Sequence, residues 1–175
     1  LHDALPISSQ DLATPTSWTV VASRSISGAF TDGASSEGFA GGGGTPDTDT
    51  DPGPASTDQG LFFKPFTGNP VDGDVTVNFS QDVAGSPGLP YVASAWFGAE
   101  SGYSGLIPAS RTQSLFSLEF IADGGAVLGG TTLDLRAAGL GGLPGLSYEL
   151  YSISATSPAG TNFVRVSASM IDAFG

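Results

Sequence analysis

Three aspartates that alternate with threonines could hold a metal ion. Asp47, Asp49 and Asp51 form the run D-T-D-T-D, and this spacing can turn three carboxylates toward one hard cation such as calcium, which prefers oxygen ligands. An EF-hand-type loop has glycine at its sixth position and a bidentate acid at its twelfth. Counting from Asp47, this chain has Pro52 at the sixth position and Asp58 at the twelfth. Asp58 could close a calcium site, whereas Pro52 stiffens the loop, so a solvated acidic loop is the alternative.

Aromatic residues offer a second kind of chemistry, because a flat ring can stack on a pyranose while nearby polar groups bind its hydroxyls. Trp96 and Phe97 lie on opposite faces of one predicted strand, so one of them faces away from the core. Tyr103 is flanked by serines and glycines too small to bury it. The sequence therefore predicts a ligand site of Trp96, Glu100 and Tyr103, with Tyr103 as the stacking platform and Glu100 accepting hydrogen bonds from hydroxyls. The alternatives are a core position for Trp96 and a Tyr103 that only covers one end of the fold.

Catalysis has little support in the residue types. The single histidine, His2, lies in an atypical leading segment and there is no cysteine, which argues against Ser-His-Asp chemistry and zinc ligation. A glycosidase needs only two carboxylates, and four glutamates could supply them: Glu37, Glu100, Glu119 and Glu149. Glu119 lies in an alternating run and is predicted to face solvent. No catalytic residue is assigned, and the chain is predicted not to be an enzyme.

Composition narrows the class of protein. The chain has 175 residues with 39% hydrophobic content, enough for one sizeable core, and no apolar run approaches the ~20 residues of a membrane helix. Seventeen acidic and five basic residues give a net charge of -12, which repels phosphate backbones and anionic membranes. We therefore expect neither nucleic acid nor membrane insertion. Low charge content without cysteine resembles extracellular bacterial β proteins, so the predicted location is extracellular or on the cell surface.

Short runs that alternate apolar and polar residues, each closed by glycine or proline, indicate strands. Eight are predicted: Trp18 to Ser23, Gly60 to Phe66, Asp74 to Val83, Tyr91 to Ala99, Ser114 to Ala122, Thr131 to Leu135, Tyr148 to Ala155 and Thr161 to Ile171. Their apolar phase predicts a core of Val75, Val77, Phe79, Leu118, Phe120, Val164, Val166 and Met170. The fold class is all-β, an antiparallel two-sheet β-sandwich of jelly-roll type.

The segments outside these strands set the predicted bounds of the domain and its long loop. Residues 1–9 are similar to translated sequencing adapter and are expected to be foreign, which leaves one domain over 10–175 that we expect to be truncated at both ends. Residues 33–58 carry four consecutive glycines and an Asp- and Pro-rich run, and are predicted to form a long loop without regular structure. Leu133 to Ala138 is a weak helix candidate.

Four segments together resemble a group of secreted bacterial jelly-roll proteins that are galactose-binding-like and often PEP-CTERM-associated. They are D-Q-G-L-F-F-K-P-F (Asp58 to Phe66), Y-V-A-S-A-W-F-G-A-E (Tyr91 to Glu100), T-Q-S-L-F-S-L-E-F (Thr112 to Phe120) and V-R-V-S-A-S-M-I-D-A-F (Val164 to Phe174). The resemblance implies a carbohydrate-binding-like module. The chain lacks the N-G-S-F-E-type opening and D-D-F-type closing strands of such domains, whose terminal acids often build a calcium site.

Three functions follow from these patterns. The first is a non-catalytic extracellular module that binds a glycan or polysaccharide or associates with a surface. The alternative is a structural subunit of an extracellular matrix or filament that self-associates through open sheet edges. The third is a small glycosidase or lyase. Glycan binding by a monomer would favour the first function, assembly without any ligand the second, and polysaccharide cleavage the third.

Overall fold

The computed structural model describes residues 17–26, 34–38, 59–63, 73–100, 102–140, 142–143 and 149–174. These residues form eleven strands and one short 3-10 turn at Ser104–Leu106. The strands are β1 (Thr19–Arg24), β2 (Ala34–Gly38), β3 (Gln59–Phe63), β4 (Val75–Ala84), β5 (Pro90–Phe97), β6 (Ala99–Glu100), β7 (Gln113–Ile121), β8 (Val127–Asp134), β9 (Gly142–Leu143), β10 (Glu149–Thr156) and β11 (Phe163–Ala173). The chain is an all-β antiparallel sandwich, as its alternating pattern predicts.

The larger sheet has five antiparallel strands in the order β1-β4-β11-β7-β8. Its register aligns the apolar phases of neighbouring strands: Val164 of β11 lies opposite Val83 on one side and Phe120 on the other. Because side chains alternate along a strand, this alignment places these apolar phases on one common face of the sheet, toward the core.

The second layer contains the antiparallel pair β5 and β10. β4 and β5 follow one another in the chain but lie in different sheets, and the same holds for β10 and β11. Because β4 pairs with β11 while β5 pairs with β10, the four strands form one antiparallel ribbon folded across both layers. This wrapping agrees with the jelly-roll type of sandwich that the sequence predicts. The pair β2 and β3 is also antiparallel, whereas β6 and β9 make a two-residue parallel pair.

The core lies between the two layers. Phe116, Leu118 and Phe120 of β7 face Tyr151 and Ile153 of β10, and all five are buried. A smaller cluster at one end contains Val75, Val77, Met170 and Ala173. Six of the eight predicted core residues are almost completely buried; the other two, Phe79 and Val166, are half-buried.

Three details differ from the sequence-based expectation. The predicted loop 33–58 contains a strand, Ala34–Gly38, because this segment finds a pairing partner in β3 that is distant in sequence. The strand predicted from Thr131 begins at Val127, since the two glycines before Thr131 are accommodated within the β7–β8 pairing. The weak helix Leu133 to Ala138 is wrong: β8 runs to Asp134 and hydrogen-bonded turns follow.

Candidate functional site

The predicted calcium ligands Asp47, Asp49, Asp51 and Asp58 lie outside the described residues. Among the residues that the structure does describe, no group of three or more His, Cys, Asp or Glu side chains could hold a metal ion. The same residues contain no helix that is both long and apolar enough to cross a membrane. The calcium hypothesis therefore stays a prediction from sequence spacing.

Trp96 lies on the outer face of β5 and is 42% exposed. Its neighbours along the strand, Ala95 and Phe97, pack toward the core instead. Leu150 of β10 lies directly opposite Trp96 and is 54% exposed. On the same face, the hydroxyls of Ser94 and Ser152 form a hydrogen bond of 2.7 Å. The structure thus presents an indole ring beside an aliphatic side chain and a pair of hydroxyls.

Glu100 ends β6, where the backbone pairs with Leu143 of β9. The position of its side chain is not among the described features. Along the chain, Glu100 is three residues beyond the end of β5, which carries Trp96.

Tyr103 corrects the expectation of an exposed stacking platform. Its ring packs against both hydrophobic clusters, and its hydroxyl forms a 2.8 Å hydrogen bond with the Ser114 hydroxyl. Burial raises the pKa of Tyr103, while the bond to Ser114 and the charge of Arg136 act in the opposite direction. The physical reason lies in Gly105: a Cβ there would collide with the tyrosine ring. The small neighbours do not expose the ring; they make room for it to fold inward.

A buried polar network holds the segment after Tyr103 in place. The hydroxyls of Ser104 and Thr112 are 3.0 Å apart, and Thr112 also donates to the carbonyl oxygen of Asp172 at 2.9 Å. The Ser104 hydroxyl accepts a hydrogen bond from the Phe174 amide. Because Ser104 and Thr112 are almost fully buried, these bonds satisfy polar groups that would otherwise be costly. The network joins the 3-10 turn to the end of β11.

The outer face of the five-stranded sheet carries a feature that sequence reasoning missed. In one register row, every strand contributes a hydroxyl side chain: Thr19, Ser80, Ser167, Ser117 and Thr132. Neighbouring strands are about 4.8 Å apart, so this row crosses the whole sheet. The only signal in the sequence was the polar phase of each alternating run, which does not say which runs are neighbours.

The adjacent register row on the same face is charged. Arg165 of β11 lies between Asp82 of β4 and Glu119 of β7. The Arg165 guanidinium donates two hydrogen bonds to Asp82, Nε to Oδ1 at 2.7 Å and Nη2 to Oδ2 at 2.8 Å. These bonds are the main reason that the pKa of Arg165 is raised above its usual value. Glu119 therefore lies on the sheet's outer face, as predicted.

A depression of about 380 Å³ opens on this face beside the charged pair. Its lining includes Thr19, Val21, Asn78, Ser80, Asp82 and Arg165. The Asn78 side-chain amide donates to the Ser169 hydroxyl at 2.8 Å. With Ser17, which also lines it, the depression combines an acid, a guanidinium, an amide and three hydroxyls with one aliphatic side chain.

The glutamates do not form a catalytic pair in the described part of the molecule. Glu119 lies on the five-stranded sheet and Glu149 on β10 in the other layer. The Glu149 carboxylate accepts a hydrogen bond from the Tyr151 hydroxyl at 3.2 Å. The side chains of Glu37 and Glu100 are not described. The two glutamates whose side chains the structure describes, Glu119 and Glu149, therefore lie on different layers.

Neither a scan against protein-family models nor a search of curated proteins finds a match. Solved structures do show a likeness: the enzymatically active domain of tailspike protein 4 from bacteriophage CBA120 superposes with a TM-score of 0.57 at 14% sequence identity. The alignment covers 95% of this chain and 18% of the tailspike chain. A likeness at this identity concerns the fold alone.

Proposed function

We propose that the chain is a non-catalytic, extracellular carbohydrate-binding module whose stacking platform is Trp96. The observation that supports this proposal is the exposed indole on the outer face of β5, 42% accessible, beside the hydroxyls of Ser94 and Ser152. Tryptophan is highly buried on average in folded proteins. An exposed indole next to a hydroxyl pair suits a pyranose, which has one apolar face and a rim of hydroxyls.

The neighbouring side chains extend the platform. Leu150 and Val92 lie on the same outer face and are 54% and 61% exposed, so apolar contact could continue beyond a single ring. Glu100 keeps its proposed role as an acceptor for sugar hydroxyls, on the basis of its sequence position after β5. Tyr103 has no part in the proposed surface, because its ring packs against the two core clusters.

A glycan array followed by calorimetry with the best glycan tests the proposal. We expect Trp96→Ala to weaken binding about tenfold or more, since it removes the stacked ring. Val127→Ala is the matched control, because it truncates a similarly exposed apolar side chain on β8 of the other sheet, 55% exposed, and should change affinity much less. Both variants should keep a melting temperature near that of the parent chain. Unchanged affinity of Trp96→Ala, or an array without any bound glycan, would reject the proposal.

The structural-subunit hypothesis has its own supporting observation. Within the described residues, no strand pairs with the second edge of either β5 or β10, and the face between those edges carries three exposed apolar side chains. Open edges can recruit a strand from another chain. Sedimentation velocity without ligand should show concentration-dependent assembly if this function holds, and a monomer across the concentration range if it does not.

Calcium binding by Asp47, Asp49, Asp51 and Asp58 is proposed from their spacing. Clustered carboxylates repel one another until a cation neutralises them, and a cation that binds only the folded chain raises its stability. The melting temperature should therefore rise when calcium replaces EDTA, and the variant Asp49→Asn should lose most of that rise. No calorimetric signal with millimolar calcium would remove calcium from the proposal.

A further inference from the structure

We infer that the depression on the outer face of the five-stranded sheet is a second binding site, which takes the vicinal diol of a neutral saccharide. The inference rests on the proposed function for its ligand class, but its position is independent of Trp96. The depression lies in the β1-β4-β11 region of the larger sheet, whereas Trp96 belongs to the β5–β10 layer.

Asp82 and Arg165 are both accessible at this site. Their side chains are 39% and 34% exposed, and an ion pair at such exposure contributes little to stability. Asp82 uses both carboxylate oxygens and Arg165 two of its five N–H donors within the pair. Free lone pairs on the acid and free donors on the guanidinium therefore remain, held at a fixed separation by the two bonds. Two adjacent sugar hydroxyls can donate to such an acid and accept from such a guanidinium at the same time.

The rest of the lining suits the same ligand. Within the described residues, the Thr19 and Ser80 hydroxyls have no side-chain hydrogen bond and no group donates to the Asn78 side-chain oxygen, whose amide nitrogen donates to Ser169. Val21, 60% exposed, adds an apolar contact. A volume of about 380 Å³ falls in the range of small-molecule sites.

Charge selects a neutral ligand over an ionic one. Asp82 compensates Arg165, Glu119 lies on the other side of Arg165, and the whole chain carries -12, so an anionic sugar would be repelled. A metal cation would meet the Arg165 guanidinium between the two acids. A polyhydroxyl compound avoids both penalties and uses donors and acceptors together.

The test is an amide NMR titration of the full chain with cellotriose, with mannotriose, and with sodium glucuronate as the anionic comparison, repeated in the Trp96→Ala background. We expect saturable shifts at Thr19, Asn78, Ser80 and Arg165 with at least one neutral trisaccharide and none with glucuronate. These shifts should persist in Trp96→Ala. Saturable shifts confined to β5 and β10 would overturn this inference and leave the proposed function standing. Shifts confined to the depression would overturn the proposed function at Trp96 and leave this inference standing.

Three variants make the outcome specific. Asp82→Asn should weaken the affinity for the trisaccharide about tenfold or more, because the substitution removes a charged hydrogen-bond acceptor. Asp123→Asn is the matched control, an exposed loop acid outside the depression, and should change nothing. Thr19→Leu fills the depression without breaking a described hydrogen bond and should abolish the shifts. This variant keeps the test valid if Asp82→Asn fails to fold. Full binding in Thr19→Leu, or equal shifts with glucuronate, would overturn the inference.

Discussion

Two leucines in the same sheet show how burial divides the side chains. Leu118 of β7 has no exposed surface, while Leu128 of β8 is 39% exposed. Leu118 contacts the inner faces of both layers as part of the main cluster. Both residues are leucines in strands, so any difference in their contribution to the free energy of unfolding comes from their positions alone.

Leu118→Ala should therefore lower the free energy of unfolding by about 2–5 kcal/mol, through lost burial and the cavity left behind. Leu128→Ala should change it by less than about 0.5 kcal/mol. Urea denaturation followed by tryptophan fluorescence measures both. Equal effects would contradict the burial of Leu118 between the two layers.

Tyr103 carries a pH-dependent contribution to stability. Burial raises its pKa above the usual 10.0, so the unfolded chain loses this proton at lower pH than the folded chain. The stabilisation is fully present below about pH 10 and is lost as the pH rises through the folded-state pKa. Tyr151, whose pKa is also raised, by burial first and then by Glu149, adds a similar dependence.

Tyr103→Phe should cost roughly 0.5–1.5 kcal/mol at neutral pH, because the hydrogen bond to Ser114 is lost. It should also flatten the fall in stability above about pH 10 without abolishing it, since Tyr151 remains. Urea midpoints from neutral pH to about pH 11 test this. An alkaline slope as steep as that of the parent chain would contradict the buried position of Tyr103.

At the level of elements, the β7–β8 hairpin depends on two adjacent glycines in different surroundings. Gly129 and Gly130 both have positive φ, +153° and +157°. A Cβ on Gly129 would meet nothing within 4 Å, whereas one on Gly130 would collide with the Leu118 carbonyl oxygen and lie 2.9 Å from the Glu119 Cα. The register between the strands shifts beside this pair, between Phe120 and Ile121.

Gly130→Ala should destabilise the chain more than Gly129→Ala. Both substitutions carry the backbone cost, about 1 kcal/mol, and the first adds a steric cost of about 1–3 kcal/mol because backbone atoms cannot move aside easily. Thermal and urea unfolding of the two variants provides the comparison. If Gly129→Ala were the more damaging change, the close approach of β8 to Leu118 would be wrong.

The molecule as a whole carries a charge of -12, from seventeen acidic and five basic residues. Within the described residues, ion pairs join Asp74 with Arg111 and Asp82 with Arg165, and each pair includes a solvent-exposed side chain. Surface pairs contribute little, while uncompensated acids repel one another in the compact state. Repulsion should therefore outweigh attraction at neutral pH.

Sodium chloride should then raise the urea midpoint at neutral pH, because salt screens exposed charges within about a Debye length. Sucrose at matched osmolality separates this screening from general exclusion of solutes from the surface. The salt effect should shrink as the pH approaches the isoelectric point of about 4.1. A midpoint that falls with added salt at neutral pH would show that attractive pairs dominate instead.

The amino-acid sequence by itself determined which faces of the strands are buried. The alternation of Val75 and Val77, or of Leu118 and Phe120, is a local pattern with the period of a strand, so the fold class and most of the core could be predicted from it. The exposed side chain of Trp96 was only one of two predicted outcomes, because both faces of its strand carry aromatic residues.

Only the tertiary structure decided which strands are neighbours and what their outer faces bring together. Asp82 and Arg165 are 83 residues apart in the chain, and the hydroxyl row takes one residue from each of five strands. Tyr103 likewise turned inward because Gly105 and Ser114 left space and a partner for it. Strand order and close packing depend on contacts between distant segments, and no local period encodes them.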